Sequence, residues 1–160
     1  MKGIEFYERQ KFTQAWAWIV IIASFLLPVI IPFLSSEDVK LLNNDSKIVL
    51  GLGFLFSLFF YLLELRVTIN KEGIHYQFFP IHLKSYTIKF NEMEDFKAVR
   101  YSPLKDYGGW GIRYRFKGTA YNVKGNKGVK INLKNKNRHI LFGSQKTEAF
   151  VQALDKFMKP

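Results

Sequence analysis

Hydrophobic residues form long uncharged runs early in the chain and alternate with polar residues later. The first run, residues 15–34, reads AWAWIVIIASFLLPVIIPFL. At about 1.5 Å of rise per residue, a helix of this length spans roughly 30 Å, the thickness of a bilayer's hydrocarbon core. Trp16 and Trp18 lie at its start, where amphipathic rings favour the headgroup level. We therefore expect a transmembrane helix over 15–34, kinked near Pro28 and Pro32. The alternative, a cleaved signal peptide, has a shorter apolar core of about 7–15 residues.

A second uncharged run, residues 48–63, reads IVLGLGFLFSLFFYLL, and Leu65 can extend it past Glu64. Read alone, a run of this length also fits a buried core helix. Two such runs joined by the mostly polar residues 35–47 favour a transmembrane hairpin, with its second helix over 48–65. Glu64 is expected at the membrane interface rather than as a proton carrier inside the membrane.

The basic residues around this hairpin predict its orientation. A hairpin places both of its ends on one side of the membrane. Basic residues occur before it, in an expected N-terminal tail over 1–14, and soon after it, at Arg66 and Lys71. The positive-inside rule then favours a cytoplasmic location for both termini and an extracytoplasmic location for the loop 35–47.

After the second run, apolar and polar residues alternate with a period of two. Ile112, Tyr114 and Phe116, for example, alternate with basic residues. This pattern of β-branched and aromatic residues is typical of half-buried strands, and turn-forming sequences such as NKEG and KGNKG separate the segments. A further segment at 138–143 pairs with the last predicted strand or completes the set. The predicted strands cover residues 65–70, 73–79, 85–90, 97–102, 111–116, 119–124 and 128–133.

The last part of the chain predicts an amphipathic helix over about 146–158. Ser144 or Thr147 can cap its start, and Glu148 suits the positive end of the helix dipole. Such a helix after antiparallel strands is expected to cover the open end of a barrel. Its apolar stripe follows helical spacing and consists of Phe150, Ala153, Leu154 and Phe157.

The chain of 160 residues has a formal net charge of +11, and this excess is confined to its second part. Residues 68–160 hold 18 Lys+Arg and 7 Asp+Glu, a difference of +11, whereas residues 1–67 hold 6 of each kind. Between Lys97 and Arg138 there are 12 basic residues and one acidic residue, Asp106. Such a surface attracts phosphates, whether they belong to lipids or to nucleic acid.

The stretch 107–136, rich in glycine, aromatic and basic residues, supplies most of the candidate functional surface. On one predicted strand the basic side chains follow at i, i+2 and i+4, so they project from one face of a sheet. An alternative interpretation is that Trp110 only fills a packing space and that the lysines only keep the surface soluble. The candidate surface for anionic lipid or a partner comprises Lys105, Trp110, Arg113, Arg115, Lys117, Lys124, Lys127 and Lys130.

Catalytic, metal and cofactor sites are not predicted. Cysteine is absent, which excludes disulfides and thiolate metal sites. The stretch GNKGVK lacks the Gly-Lys-Ser/Thr ending of a phosphate-binding loop, and GGWG is too short for a dinucleotide fingerprint. His75, His82 and His139 have no regular ligand spacing. We therefore expect neither an enzyme nor a cofactor.

Three segments carry a resemblance to a known group: GGWGIR, AYNVKGNKGV, and ILFGSQ leading into the final helix. With two preceding spans, residues 13–158 resemble small bacterial membrane proteins that have a pleckstrin-homology-like (PH-like) domain. The resemblance implies a seven-stranded barrel capped by a C-terminal helix, and no catalytic residues. The expected fold is therefore membrane-anchored α+β. A two-helix transmembrane hairpin precedes a basic, cytoplasmic, PH-like antiparallel β-barrel or sandwich over 66–160, with a C-terminal capping helix.

These observations predict a non-enzymatic, multi-pass protein of the bacterial cytoplasmic (inner) membrane. Its basic domain is expected to bind anionic lipid headgroups, because little linker separates it from the second helix. Each Lys or Arg near that surface contributes about 1 kcal/mol. The alternative is a membrane-anchored adaptor subunit that binds another protein of a membrane complex. The sequence leaves self-association open. Nucleic acid is the least favoured partner, because no recognisable binding module is present.

Overall fold

The structure, a computed structural model, describes residues 3–35, 44–116, 118–134 and 138–158. It divides into a helical hairpin, residues 12–62, and a β unit formed by the residues up to Lys11 and those from Leu63 onward. In chain order the elements are β1 (Phe6–Lys11), α1 (Ala15–Ser35), α2 (Asn44–Leu62), β2 (Glu64–Asn70), β3 (Gly73–Phe79), β4 (Tyr86–Lys89), β5 (Met93–Arg100), α3 (Pro103–Tyr107), β6 (Gly111–Arg115), β7 (Gly118–Asn122), β8 (Lys127–Leu133), β9 (His139–Gly143) and α4 (Thr147–Met158).

Helices α1 and α2 have 21 and 19 residues and are long and apolar enough to cross a membrane. Only 6% of the apolar stretch of α1 and 11% of that of α2 is buried, whereas a core helix of a soluble protein buries most of its apolar side chains. The hydroxyls of Ser24 and Ser35 donate to the carbonyls of Val20 and Ile31 at 2.7 and 2.8 Å, so these protons are satisfied within the helix. These features support the expected membrane location.

The two helices pack closely at a glycine of α2. Ala17, Ile21 and Val29 are the buried residues of α1, and their spacing in multiples of four places them on one face. A Cβ atom added at Gly53 would lie 2.5 Å from Cγ of Phe25. The missing side chain therefore lets the helices approach each other, as small residues do in membrane hairpins.

Gly53→Ala is expected to lower the thermal midpoint of the helical hairpin, because the new methyl group must displace the ring of Phe25. Overpacking of this kind costs about 1–3 kcal/mol. Gly51→Ala is the matched control, since a Cβ at Gly51 meets nothing within 4 Å. Its better helix propensity adds up to about 1 kcal/mol of stability. Thermal unfolding of the full chain in detergent, followed by circular dichroism, makes the comparison. Equal midpoints for the two variants would contradict close packing at Gly53.

The second helix begins and ends earlier than expected. It covers Asn44–Leu62 instead of 48–65. The chain forms a strand from Glu64 onward because buried and half-buried residues then alternate, which is the period of a strand. The expected loop 35–47 is correspondingly shorter: its last residues belong to α2, and residues 36–43 lie outside the described part of the chain.

The expected tail over residues 1–14 instead contains a strand of the β unit. Strand β1 pairs antiparallel with β2, and Lys11 lies opposite Glu64 in this register. The β unit therefore extends beyond the expected 66–160 and is discontinuous in sequence. The helical hairpin is an insertion between two neighbouring strands of one sheet.

Polar side chains of β1 attach it to the junction between β9 and α4. The buried carboxylate of Glu8 accepts hydrogen bonds from the hydroxyl of Ser144 at 2.6 Å and from the backbone N–H of Gln145 at 2.8 Å. The side-chain amide of Gln10 donates to the carbonyl of Gly143 at 2.7 Å. Contacts between residues 133 to 137 positions apart thus hold β1 in place.

Among its described residues, the β unit has nine strands in two sheets instead of the expected seven. The first sheet has the order β1-β2-β3-β4, and the second has the order β5-β8-β9-β7-β6. The additional strands are β1 and β9, the latter at the segment left open in the sequence. Strands β7 and β9 are parallel, so the expectation of an entirely antiparallel barrel is wrong at this pair. Strand β9 suits its position inside the sheet because Leu141 and Phe142, on opposite faces, are both buried.

Helix α4 confirms the predicted amphipathic helix. It covers Thr147–Met158, buries most of the predicted stripe and contacts β1, β5 and β8. Its two fully buried large residues, Phe150 and Leu154, join the core between the sheets. The core residues contributed by the strands include Leu65, Ile69, Ile74, Phe78, Ile131 and Phe142.

Candidate functional site

Strand β6 presents charge on one face and aromatic rings on the other. It is an edge strand, and of the strands that the structure describes it is hydrogen-bonded to β7 alone. Arg113 and Arg115 are exposed on one face, as the period of two predicted. Tyr114, on the other face, is 74% exposed, and Phe116 just beyond the strand is fully exposed. The alternation predicted a half-buried strand with these aromatic residues on one side, and that prediction is wrong at Tyr114 and Phe116, since both are exposed.

The turn before β6 lies close to both arginine side chains. A Cβ atom at Gly109, where φ is +128°, would lie 3.1 Å from Nη2 of Arg113. The same atom at Gly108 would lie 3.5 Å from Nη2 of Arg115. A side chain at Gly109 would therefore crowd the guanidinium of Arg113, whereas a Cβ at Gly108 would meet Arg115 at an ordinary contact distance. Trp110, the next residue, is half-buried, which fits a packing function for part of its ring.

Lys130 lies on the same sheet face as the β6 arginines. In register, Arg113 is followed across the sheet by Ala120, Leu141 and Lys130. At about 4.8 Å per strand this row places Arg113 and Lys130 roughly 14 Å apart. Within the described ranges, neither of them nor Arg115 forms an ion pair. Their charges are therefore available to an anion from outside the chain.

The other predicted residues do not all join this surface. Lys105 is exposed on α3, the short helix before the glycine turn. Lys127 is three positions from Lys130 on β8 and so projects from the opposite face, and Lys124 lies in the turn before it. Lys117 lies outside the described residues. The structure thus separates one predicted surface into two groups.

A cluster of tyrosines beside β6 escaped the sequence analysis. The rings of Tyr76 and Tyr121 are 4.9 Å apart, and those of His82 and Tyr86 are 4.7 Å apart. Burial raises the pKa of Tyr76, and burial with the nearby Tyr76 raises the pKa of Tyr121 further. Burial also lowers the pKa of His82. These shifts favour the neutral form of each group near pH 7.

No sequence spacing predicted this cluster, because its members come from separate strands and from the β3–β4 loop. The same loop exposes Ile81 and Leu83, at 53% and 80%. Exposed apolar and aromatic side chains therefore occur both at this loop and on β6. This surface can be recognised from the strand order, in which β4 and β6 are sheet edges, but not from the sequence.

Glu64 lies at the start of β2 inside a group of cations. Its side chain is 2% exposed and pairs with Arg9 at 2.5 Å, with Lys11 at 3.8 Å and with Arg66. Burial raises the pKa of Glu64, but hydrogen bonds and charge from Arg66 and Arg9 outweigh it and lower the pKa below its usual value. The carboxylate is therefore ionised at neutral pH and carries a structural ion-pair network.

Among the described residues, no group of three or more His, Asp or Glu side chains could hold a metal ion. Comparison of the chain with protein-family models, with curated proteins and with solved structures finds no match. The site must therefore be interpreted from its own residues.

Proposed function

We propose that this chain is a non-enzymatic, multi-pass protein of the bacterial cytoplasmic membrane whose basic β unit binds anionic lipid headgroups at the inner membrane face. The observation that carries the proposal is the arrangement of side chains on strand β6. Two arginines that form no ion pair with any described residue project from one face of this strand, and two exposed aromatic rings lie on the other. Membrane interfaces favour this combination, since guanidinium groups attract phosphates while Tyr and Phe rings enter the headgroup region.

The connection between the two units supports the orientation. Three residues join β1 to α1, and one residue joins α2 to β2. Because β1 and β2 are hydrogen-bonded neighbours, both ends of the hairpin must return to the same side of a bilayer. An even number of spans satisfies this requirement. The basic residues of the β unit then favour the cytoplasmic side.

The PH-like resemblance remains part of the proposal. Two antiparallel-rich sheets with a packed C-terminal helix support it. Strand β1 and the parallel pair β7–β9 depart from the seven-stranded barrel that the resemblance implies. The lipid-binding proposal does not depend on the family, because it rests on the exposed residues of β6.

The absence of cysteine allows a direct test. Phe116→Cys in the full chain accepts one environment-sensitive fluorophore, and the protein is placed in nanodiscs of phosphatidylcholine with or without phosphatidylglycerol. We expect a blue-shifted emission only with the anionic lipid. Glu72→Cys, labelled in the β2–β3 turn, is the control and is expected to show no shift.

Identical emission of the Phe116 label in both kinds of nanodisc would refute the proposal. It would favour the adaptor alternative, which one observation supports: the unpaired edge of β6 offers backbone groups to which a partner strand can hydrogen-bond. In that case a co-purifying protein should shift the label at position 116 in neutral lipid.

A further inference from the structure

A cavity of about 480 Å³ lies between the ends of β5 and β8 and the start of α4. Its volume is within the roughly 300–1,000 Å³ that is typical of small-molecule sites. Arg100, Lys127 and Lys146 line it together with Glu148, and Ala98 contributes apolar wall. Three cations and one carboxylate give this lining a net charge of +2.

The strand register adds a second observation that favours binding of an anion here. Arg100 lies directly opposite Lys127 on the neighbouring strand. Like charges directly opposite each other in a sheet destabilise it. Neither these two residues nor Lys146 forms an ion pair within the part of the chain that the structure covers. An anion between the two side chains would convert a repulsive pair into an attractive one.

We propose that this cavity binds the phosphate group of a phosphomonoester. Such a group carries about −1.5 to −2 charges at pH 7, close to the charge of the lining. The planar guanidinium of Arg100 can hold two phosphate oxygens, while Lys127 and Lys146 act as point charges. The cavity has room for a small organic group beside the apolar wall of Ala98 and Ala149.

This site is separate from the surface assigned to lipid on β6. Lys127 projects from the sheet face opposite to that of Lys130 and Arg113. The phosphate can belong to a soluble metabolite or to the headgroup of a phosphomonoester lipid. The chemistry of recognition is the same for both sources.

The test uses the full chain in phosphatidylcholine nanodiscs, titrated calorimetrically with inorganic phosphate and with glycerol phosphate. Arg100→Gln/Lys127→Gln is expected to weaken binding at least about tenfold, because charge-assisted hydrogen bonds are lost. Lys71→Gln/Lys89→Gln removes the same charge at two other exposed positions and is expected to change affinity less than about twofold, since distant surface charges are screened. The first variant also relieves the repulsive pair, so it should unfold at no lower temperature than the parent without ligand.

A second arm repeats the glycerol phosphate titration in nanodiscs that contain phosphatidic acid. Weaker binding there would identify a lipid headgroup as the occupant of the cavity, and unchanged binding would identify a soluble ligand; either result supports the site. The proposal fails if neither probe binds in the phosphatidylcholine nanodiscs. It also fails if both double variants weaken binding equally. Neither failure depends on the fluorophore at position 116.

Discussion

Phe6→Ala is expected to lower the free energy of unfolding of the β unit by about 3–5 kcal/mol, as the loss of a buried phenyl ring does. Phe6 is 5% exposed and stacks on the fully buried Phe150 of α4, with 4.8 Å between ring centroids. The ring contact lies on the same face of β1 as the buried carboxylate of Glu8. Loss of the ring therefore removes the apolar part of the contact that joins β1 to α4.

Denaturant unfolding of the full chain in detergent, followed by circular dichroism at the strand signal, measures this effect. Tyr7→Ala is the matched control, because Tyr7 is the next residue, faces the other side and is 51% exposed. We expect it to cost no more than about 0.5 kcal/mol. If both variants unfolded at the same denaturant concentration, β1 would be a dispensable tail instead of a strand of the core.

The helices were predictable because a membrane span depends on length and composition alone. Strand β1 was not predicted, although its buried and exposed residues alternate regularly. Its inward positions include Glu8 and Gln10, which a sequence pattern assigns to the surface. These side chains are buried because Ser144, Gln145 and Gly143 satisfy them from the far end of the chain. A buried polar strand becomes recognisable only when its partners are known.

The candidate site on β6 likewise has one feature that the sequence predicts and one that it does not. The period of two correctly placed Arg113 and Arg115 on one face, because this is a local property of a strand. Whether the opposite face, which carries Tyr114, is buried depends on how the sheets are arranged and on which elements pack over that face. Among the described strands β6 pairs with β7 alone, and Tyr114 on its other face is exposed. Sheet order is set by pairing between distant segments, so the alternation within β6 could not reveal it.

Arg113→Glu/Arg115→Glu is expected to abolish the blue shift of the Phe116 label in anionic nanodiscs. Each basic residue close to an anionic surface contributes about 1 kcal/mol. Reversal removes two attractive charges and adds two repulsive ones, so the membrane contact loses about 4 kcal/mol, or roughly a thousandfold in its equilibrium constant. In the parent protein, added salt is expected to reduce the shift progressively, because the Debye length falls from about 10 Å at 0.1 M to about 3 Å at 1 M.

The decisive comparison is with Lys71→Glu/Lys89→Glu, which changes the net charge by the same amount at two other exposed positions. Strand β6 carries its arginines beside two exposed rings, whereas Lys71 lies in a turn and Lys89 at the end of β4. If β6 is the contact, only the arginine reversal removes the shift. If both reversals removed the blue shift equally, membrane binding would depend only on the total charge of the β unit. Strand β6 would then not be a specific contact. A persistent shift after arginine reversal would instead assign the contact to the rings of Tyr114 and its neighbours.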